Sequence, residues 1–90
     1  MYPAHKENMY MYLVHNKFKD CFLEVLNIYR IGMSTTKYKV TWWNMGFTGD
    51  PWTLGLTQNI RLTDEVRKKD WKTFSRMEDI VLPGRGVIWS

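Results

Sequence analysis

Apolar and polar positions alternate most cleanly over Lys37-Tyr38-Lys39-Val40-Thr41-Trp42-Trp43-Asn44. A period of two marks a half-buried strand. It sets Tyr38, Val40 and Trp42 on a core face and Lys37, Lys39, Thr41 and Trp43 on the opposite face. Trp52 to Leu62 alternates too: Trp52, Leu54, Leu56, Ile60 and Leu62 share one side, with Gln58 its single polar member. Thr53, Thr57, Asn59 and Arg61 take the other side. Between the two runs, Met45 to Pro51 carries two glycines and a proline, which is turn chemistry. The pattern therefore predicts two strands paired across a glycine loop, with Trp52, Leu54, Leu56 and Ile60 inside beside Tyr38, Val40 and Trp42.

Upstream, Met1 to Asn8 is a polar leader, and Met9 to Val14 is short, aromatic and free of breakers, which predicts a strand. Asn16 to Asp20 reads as a connection anchored by Phe18. Cys21 to Ile31 admits two readings. Phe18, Cys21, Phe22, Val25, Leu26 and Tyr29 fit a helical stripe, with Gly32 where a helix would stop. On that reading residues 18–31 form a helix against an antiparallel sheet, and the fold is α+β. Val25, Ile28, Tyr29 and Ile31 are β-branched or aromatic and favour a pleated surface instead. The expectation taken forward is a strand with a bulge near Leu26-Asn27.

Downstream, Thr63 followed by Asp64 and Glu65, with Arg67, Lys68 and Lys69 behind them, predicts a helix start ordered to suit the macrodipole. The helix is expected over 64–77, with Val66, Asp70, Trp71, Phe74 and Met77 on an inward arc that is apolar apart from Asp70, and Lys68, Lys69, Lys72 and Arg76 outward. Ile80 to Trp89 forms two apolar pieces around a Pro-Gly-Arg-Gly turn, suited to a last short strand. The organisation predicted is one domain, mainly β with one C-terminal helix. Its parts are a leader (1–8), a β-rich barrel (9–62), the helix (64–77) and a C-terminal segment (80–90).

Composition narrows the class. At 44% hydrophobic the chain is too apolar for a disordered segment. It has no apolar run approaching the roughly 18 residues of a membrane span and no basic-then-apolar N-terminal signal. The expectation is a soluble cytoplasmic protein, in the host cytoplasm if the source is viral, with no membrane partner. A single cysteine, Cys21, excludes an internal disulfide framework and a cysteine-cluster zinc site; it reads as a small core residue. A net charge of +4 favours polyanionic partners.

Catalytic chemistry finds little to work with. His5 and His15 have no neighbouring nucleophile, and the acid pairs Asp64-Glu65 and Glu78-Asp79 are better read as a helix N-terminus and as solvated surface. No metal-ligand spacing occurs. Gly84-Arg85-Gly86 lacks the longer glycine loop and following lysine of a phosphate cradle. The expectation is a non-enzymatic binding protein without cofactor or metal. The candidate surface is an aromatic ring among cations, the combination that stacks bases and meets phosphates. Its residues are Lys37, Lys39 and Trp43 on the strand and Lys68, Lys69, Lys72 and Arg76 on the helix.

From Phe22 to Leu62 the order is apolar strand, turn, Lys-Tyr-Lys-Val-Thr-Trp, glycine loop, strand. This resembles a small SH3-like barrel of the Tudor, chromo-barrel and KOW kind. The resemblance implies binding of nucleic acid, modified tails or partner proteins. A short chain rich in Trp, Tyr and Met is also similar in character to small early proteins of tailed phages, which implies a host protein as partner. Two functions are thus expected: binding of nucleic acid or a nucleoprotein through the basic helix and Trp43, or inhibition or adaptation of a host protein through an aromatic surface.

Overall fold

The computed structural model describes residues 11–46, 49–84 and 86–87. Five antiparallel strands form one sheet: β1 (Met11–His15), β2 (Cys21–Arg30), β3 (Thr35–Met45), β4 (Pro51–Thr63) and β5 (Trp71–Phe74), in the order β4-β3-β2-β1-β5. A seven-residue helix, α1 (Asp64–Asp70), links β4 to β5. A 3₁₀ turn (Met77–Asp79) leads into a separate two-stranded hairpin, β6 (Val81–Leu82) and β7 (Gly86–Val87). The protein is therefore mainly β with one helix, as the alternation predicts. The leader (1–8) and the last three residues lie outside the described residues.

The sheet is curled. Four strand spacings of about 4.8 Å would hold the edges of a flat sheet about 19 Å apart. Yet α1 runs from the end of one edge strand to the start of the other and rises only about 10 Å. Bending lets one face of all five strands meet in a single core. Leu13, Leu23, Val25, Tyr38 and Val40 are buried there, with Met11, Trp42, Ile60, Leu62 and Trp71 packed against them. The opposite face carries a second core at one end only. There Tyr12, Val14, Phe22 and Met45 of the sheet pack against Ile80 and Leu82 of the C-terminal segment, flanked by Trp43, Phe74 and Met77. The C-terminal segment thus covers one end of the convex face and does not extend the sheet as a last strand.

Residues Cys21 to Arg30 are strand, so the helical alternative for 18–31 is set aside. The β2–β3 register slips between Val25 and Asn27, which places the bulge at Leu26 as expected. The β3–β4 hairpin also forms as expected, Thr35 pairing with Thr63 and Met45 with Pro51.

Two further expectations need correction. The helix predicted over 64–77 ends at Asp70. Its start is as read: the Thr63 hydroxyl accepts from the Val66 N–H at 3.1 Å, and Asp64 and Glu65 occupy the first turn. At Trp71 the backbone becomes extended, and Trp71 to Phe74 pair with His15 to Tyr12. Trp71 enters the concave core and Phe74 the convex one. Trp71 and Phe74 are partly covered on opposite faces at the two ends of β5, with exposed Lys72 and Thr73 between them. The strand therefore shows no apolar–polar alternation, and its spacing of three mimics a helical arc.

The second correction is to β4. Trp52, Leu54 and Leu56, expected inside, are exposed, each retaining half or more of its accessible surface. Between Thr41/Thr57 and Trp43/Thr53, three residues of β4 oppose Trp42 alone. Gly55, at the centre of this bulge, takes a φ of 76°, the left-handed region that glycine tolerates. Among the described residues β4 is an edge strand, and none of them adds a strand beside what the bulge turns out. Ile60 does pack on the concave core.

Candidate nucleic-acid interface

The convex face beyond the reach of the C-terminal segment is built from three strands. Tyr29 of β2 pairs with Lys37 of β3, which pairs with Arg61 of β4. In the next row of the same face, Asn27, Lys39 and Asn59 stand side by side. Directly paired residues project to the same side with Cβ atoms about 4.5–5.5 Å apart. Two rows thus gather three cations, a tyrosine and two amides, with no carboxylate. All are exposed except Lys37, which is partly covered.

Local chemistry orders this surface. The Lys37 ammonium lies 5.1 Å from the centre of the Tyr29 ring, a cation–π pair. The Asn27 amide donates to the Tyr29 hydroxyl at 3.0 Å, while its carbonyl oxygen accepts from the Ile28 N–H at 2.8 Å. The ring is held at both its hydroxyl and one of its faces. Asn27 holds this position because the Leu26 bulge restores its row to the convex side. Among the described residues of this face the acid next along β2 is Glu24, paired in register with Thr41, and it accepts from the Trp43 indole N–H at 3.1 Å.

Of the residues predicted for the site, Lys37 and Lys39 lie together here. Trp43 shares their face but not their surroundings. Its ring stacks on Phe22, centroids 6.1 Å apart and planes 2° from parallel, and packs against the core under the C-terminal segment. It is half-buried and structural, a correction to its reading as an exposed stacking ring. The face alternation predicted its side correctly; what covers that side comes from Met77, Ile80 and Leu82, more than thirty positions further along.

The other four cations do not form one stripe. Lys68 and Lys69 are exposed on α1, whose end is tied to the β1–β2 turn by the Asn16 amide donating to the Lys69 carbonyl at 2.8 Å. Lys72 stands on β5, paired with Val14, and borders an open cavity of about 500 Å³ shared with His15, Leu82 and Pro83. Arg76 follows β5 and pairs with Asp79 at 3.4 Å and Glu78 at 3.8 Å. Helical spacing fails once β5 replaces the second half of the helix. β5 and β4 are the two opposite edge strands of the described sheet, four spacings apart in its order, so Lys72 and Arg61 do not share a row.

Sequence reasoning missed Tyr29, Arg61 and Asn59. The signal for Arg61 and Asn59 was present, since both were placed on the polar side of β4. Linking that side to Lys37 and Lys39 needed the register across the glycine loop.

Other chemistry is sparse. Burial pushes the Cys21 thiol up from its ordinary value, and the neighbouring Asp20 carboxylate adds to the rise. Among the described residues no three His, Cys, Asp or Glu side chains come together as a metal site, and no helix is long and apolar enough to cross a membrane. Compared with protein families, with characterised proteins and with solved structures, the chain matches none, so its surface is interpreted from its own residues.

Proposed function

We propose that the protein is a non-enzymatic nucleic-acid-binding module that holds a single strand on the convex face of β2, β3 and β4. One observation carries the reading: Tyr29, Lys37, Lys39 and Arg61 share two adjacent rows that contain no acid. Lys37, Lys39 and Arg61 meet phosphates, and the free face of Tyr29 stacks a base. Asn59 offers an amide to a base edge. An unpaired strand suits this surface because a duplex keeps its base faces stacked away from a ring on a broad sheet. The curled sheet supports a finer assignment to the SH3-like small barrels: β5 lies beside β1, and a short helical connection joins it to β4.

The test is binding of a short fluorescent single-stranded oligonucleotide by anisotropy across salt concentrations. Tyr29→Ala weakens binding by about 1–3 kcal/mol with the salt slope unchanged, since stacking releases no counterions. Absence of DNA and RNA binding at low salt refutes the proposal. A second reading, a protein-binding adaptor or inhibitor, is favoured by the exposed Trp52, Leu54 and Leu56. It predicts capture of a protein with little dependence on salt.

A further inference from the structure

The two edges of the sheet are unlike. The β5 edge is four residues long and carries Lys72, and the β6–β7 hairpin borders the same cavity. The β4 edge is thirteen residues long. Pro51 to Ile60 contains no charge, and Arg61 is the strand's single ionised side chain. Soluble proteins blunt exposed edges with charges, short strands or covering segments, because a free edge offers unpaired N–H and C=O groups to another chain. Among the described residues the bulge is the main such device, and Leu54 and Leu56 on either side of Gly55 are exposed.

From this contrast we infer that two copies of the chain associate edge to edge through β4, antiparallel about a two-fold axis near Ile60. The regular part of the edge, residues 57–63, is self-complementary in this register. Ile60 meets its own copy, Gln58 meets Leu62, Thr57 meets Thr63, and Arg61 meets Asn59. No like charges stand opposite one another. A two-fold axis normal to the sheet keeps equivalent side chains on equivalent faces, so the apolar residues of one copy continue those of the other. Beyond the ladder, Leu56, Leu54 and Trp52 of each copy reach the start of the other copy's α1, where Val66 is exposed.

Charge favours a second copy over a charged partner, since the edge offers almost nothing for a charged strand to pair with. Area points the same way. Together the three half-exposed side chains offer roughly a few hundred Å² of apolar surface, short of the roughly 800 Å² per partner of a standard interface. A backbone ladder with a second chain makes up the difference. In the pair, the two convex faces lie on the same side of a continuous sheet.

Sedimentation equilibrium on the full chain over a dilution series tests this directly. The wild type is expected at twice the chain mass of 10.8 kDa. Leu54→Lys combined with Leu56→Lys is expected at the single-chain mass, with an unchanged circular dichroism spectrum. If that variant loses its strand spectrum, Trp52→Lys provides the same comparison from outside the bulge. A wild type of single-chain mass at its highest soluble concentration overturns the inference. So does a folded variant that remains paired, or a patch occupied by a different protein while the chain itself stays single.

Discussion

Replacing Arg61 by Ala tests the interface at its least expected residue. Arg61 stands opposite Lys37, at the β4 side of the Tyr29 row, and no ion pair involving it is found among the described residues. Three cations on the face should each release about 0.7 of a counterion on binding a single strand, giving a slope of log affinity against log salt of about −2. Between 50 and 200 mM salt the wild type should then lose about 20-fold in affinity, and Arg61→Ala about 7-fold, its slope having fallen to about −1.4. Lys69→Ala on α1 is the control: an equal loss of charge away from the face should leave the slope unchanged. Arg61→Ala should also keep the melting temperature within a degree or two, because an exposed charge on a strand contributes little to stability. Equal slopes for Arg61→Ala and wild type, or an equal effect of Lys69→Ala, refute the placement of the strand on β2–β3–β4.

Three further outcomes test the scaffold. Phe22→Ala removes a fully buried ring beneath Trp43 and Tyr12 and should destabilise by about 3–5 kcal/mol in urea titration, much of a small domain's stability. Thr63→Ala removes the N-cap of α1 and should cost about 1 kcal/mol, with Thr63→Asn nearly neutral. The Cys21 thiol, raised by burial and then by Asp20, should react with iodoacetamide more slowly than a free cysteine at pH 8. The lag should narrow only as pH rises above the ordinary thiol value and toward the higher folded one, since only the thiolate attacks. Because the folded pKa is the higher one, the unfolded chain ionises first, so whatever stability the group contributes is lost on the alkaline side.

The strands were legible wherever one face meets water. β3 shows its alternation because Lys37 and Lys39 are opposite a face that Tyr38 and Val40 bury, and β2 shows its bulge because the alternation breaks at Leu26. β5 was not legible as a strand. Trp71 and Phe74 project to opposite faces, and both are partly covered, so period two disappears from the sequence while a spacing of three survives. Trp43 failed for a related reason. Its side of β3 is solvent-facing at Lys37 and Lys39 but is roofed by Ile80 and Leu82 a few residues on, and local pattern carries no information about a cover so distant in sequence.

The candidate site follows the same division. Its cations on β3 were visible as a polar face, but a binding surface is a property of neighbouring strands, and the register across two hairpins decides who the neighbours are. In sequence Tyr29 fits a helical stripe; only as the partner of Lys37 does it become a ring among cations. β4 shows most sharply why residue type alone misleads. Its polar positions, Asn59 and Arg61, complete the basic face, while its apolar positions divide. Ile60 and Leu62 are drawn into the concave core by the curl, and Trp52, Leu54 and Leu56 are left outside it by a bulge centred on one glycine. A leucine pattern that reads as core over the whole strand is core for only half of it. The remainder is exposed because the sheet ends there, and an apolar edge that ends in water is the feature most in need of a partner.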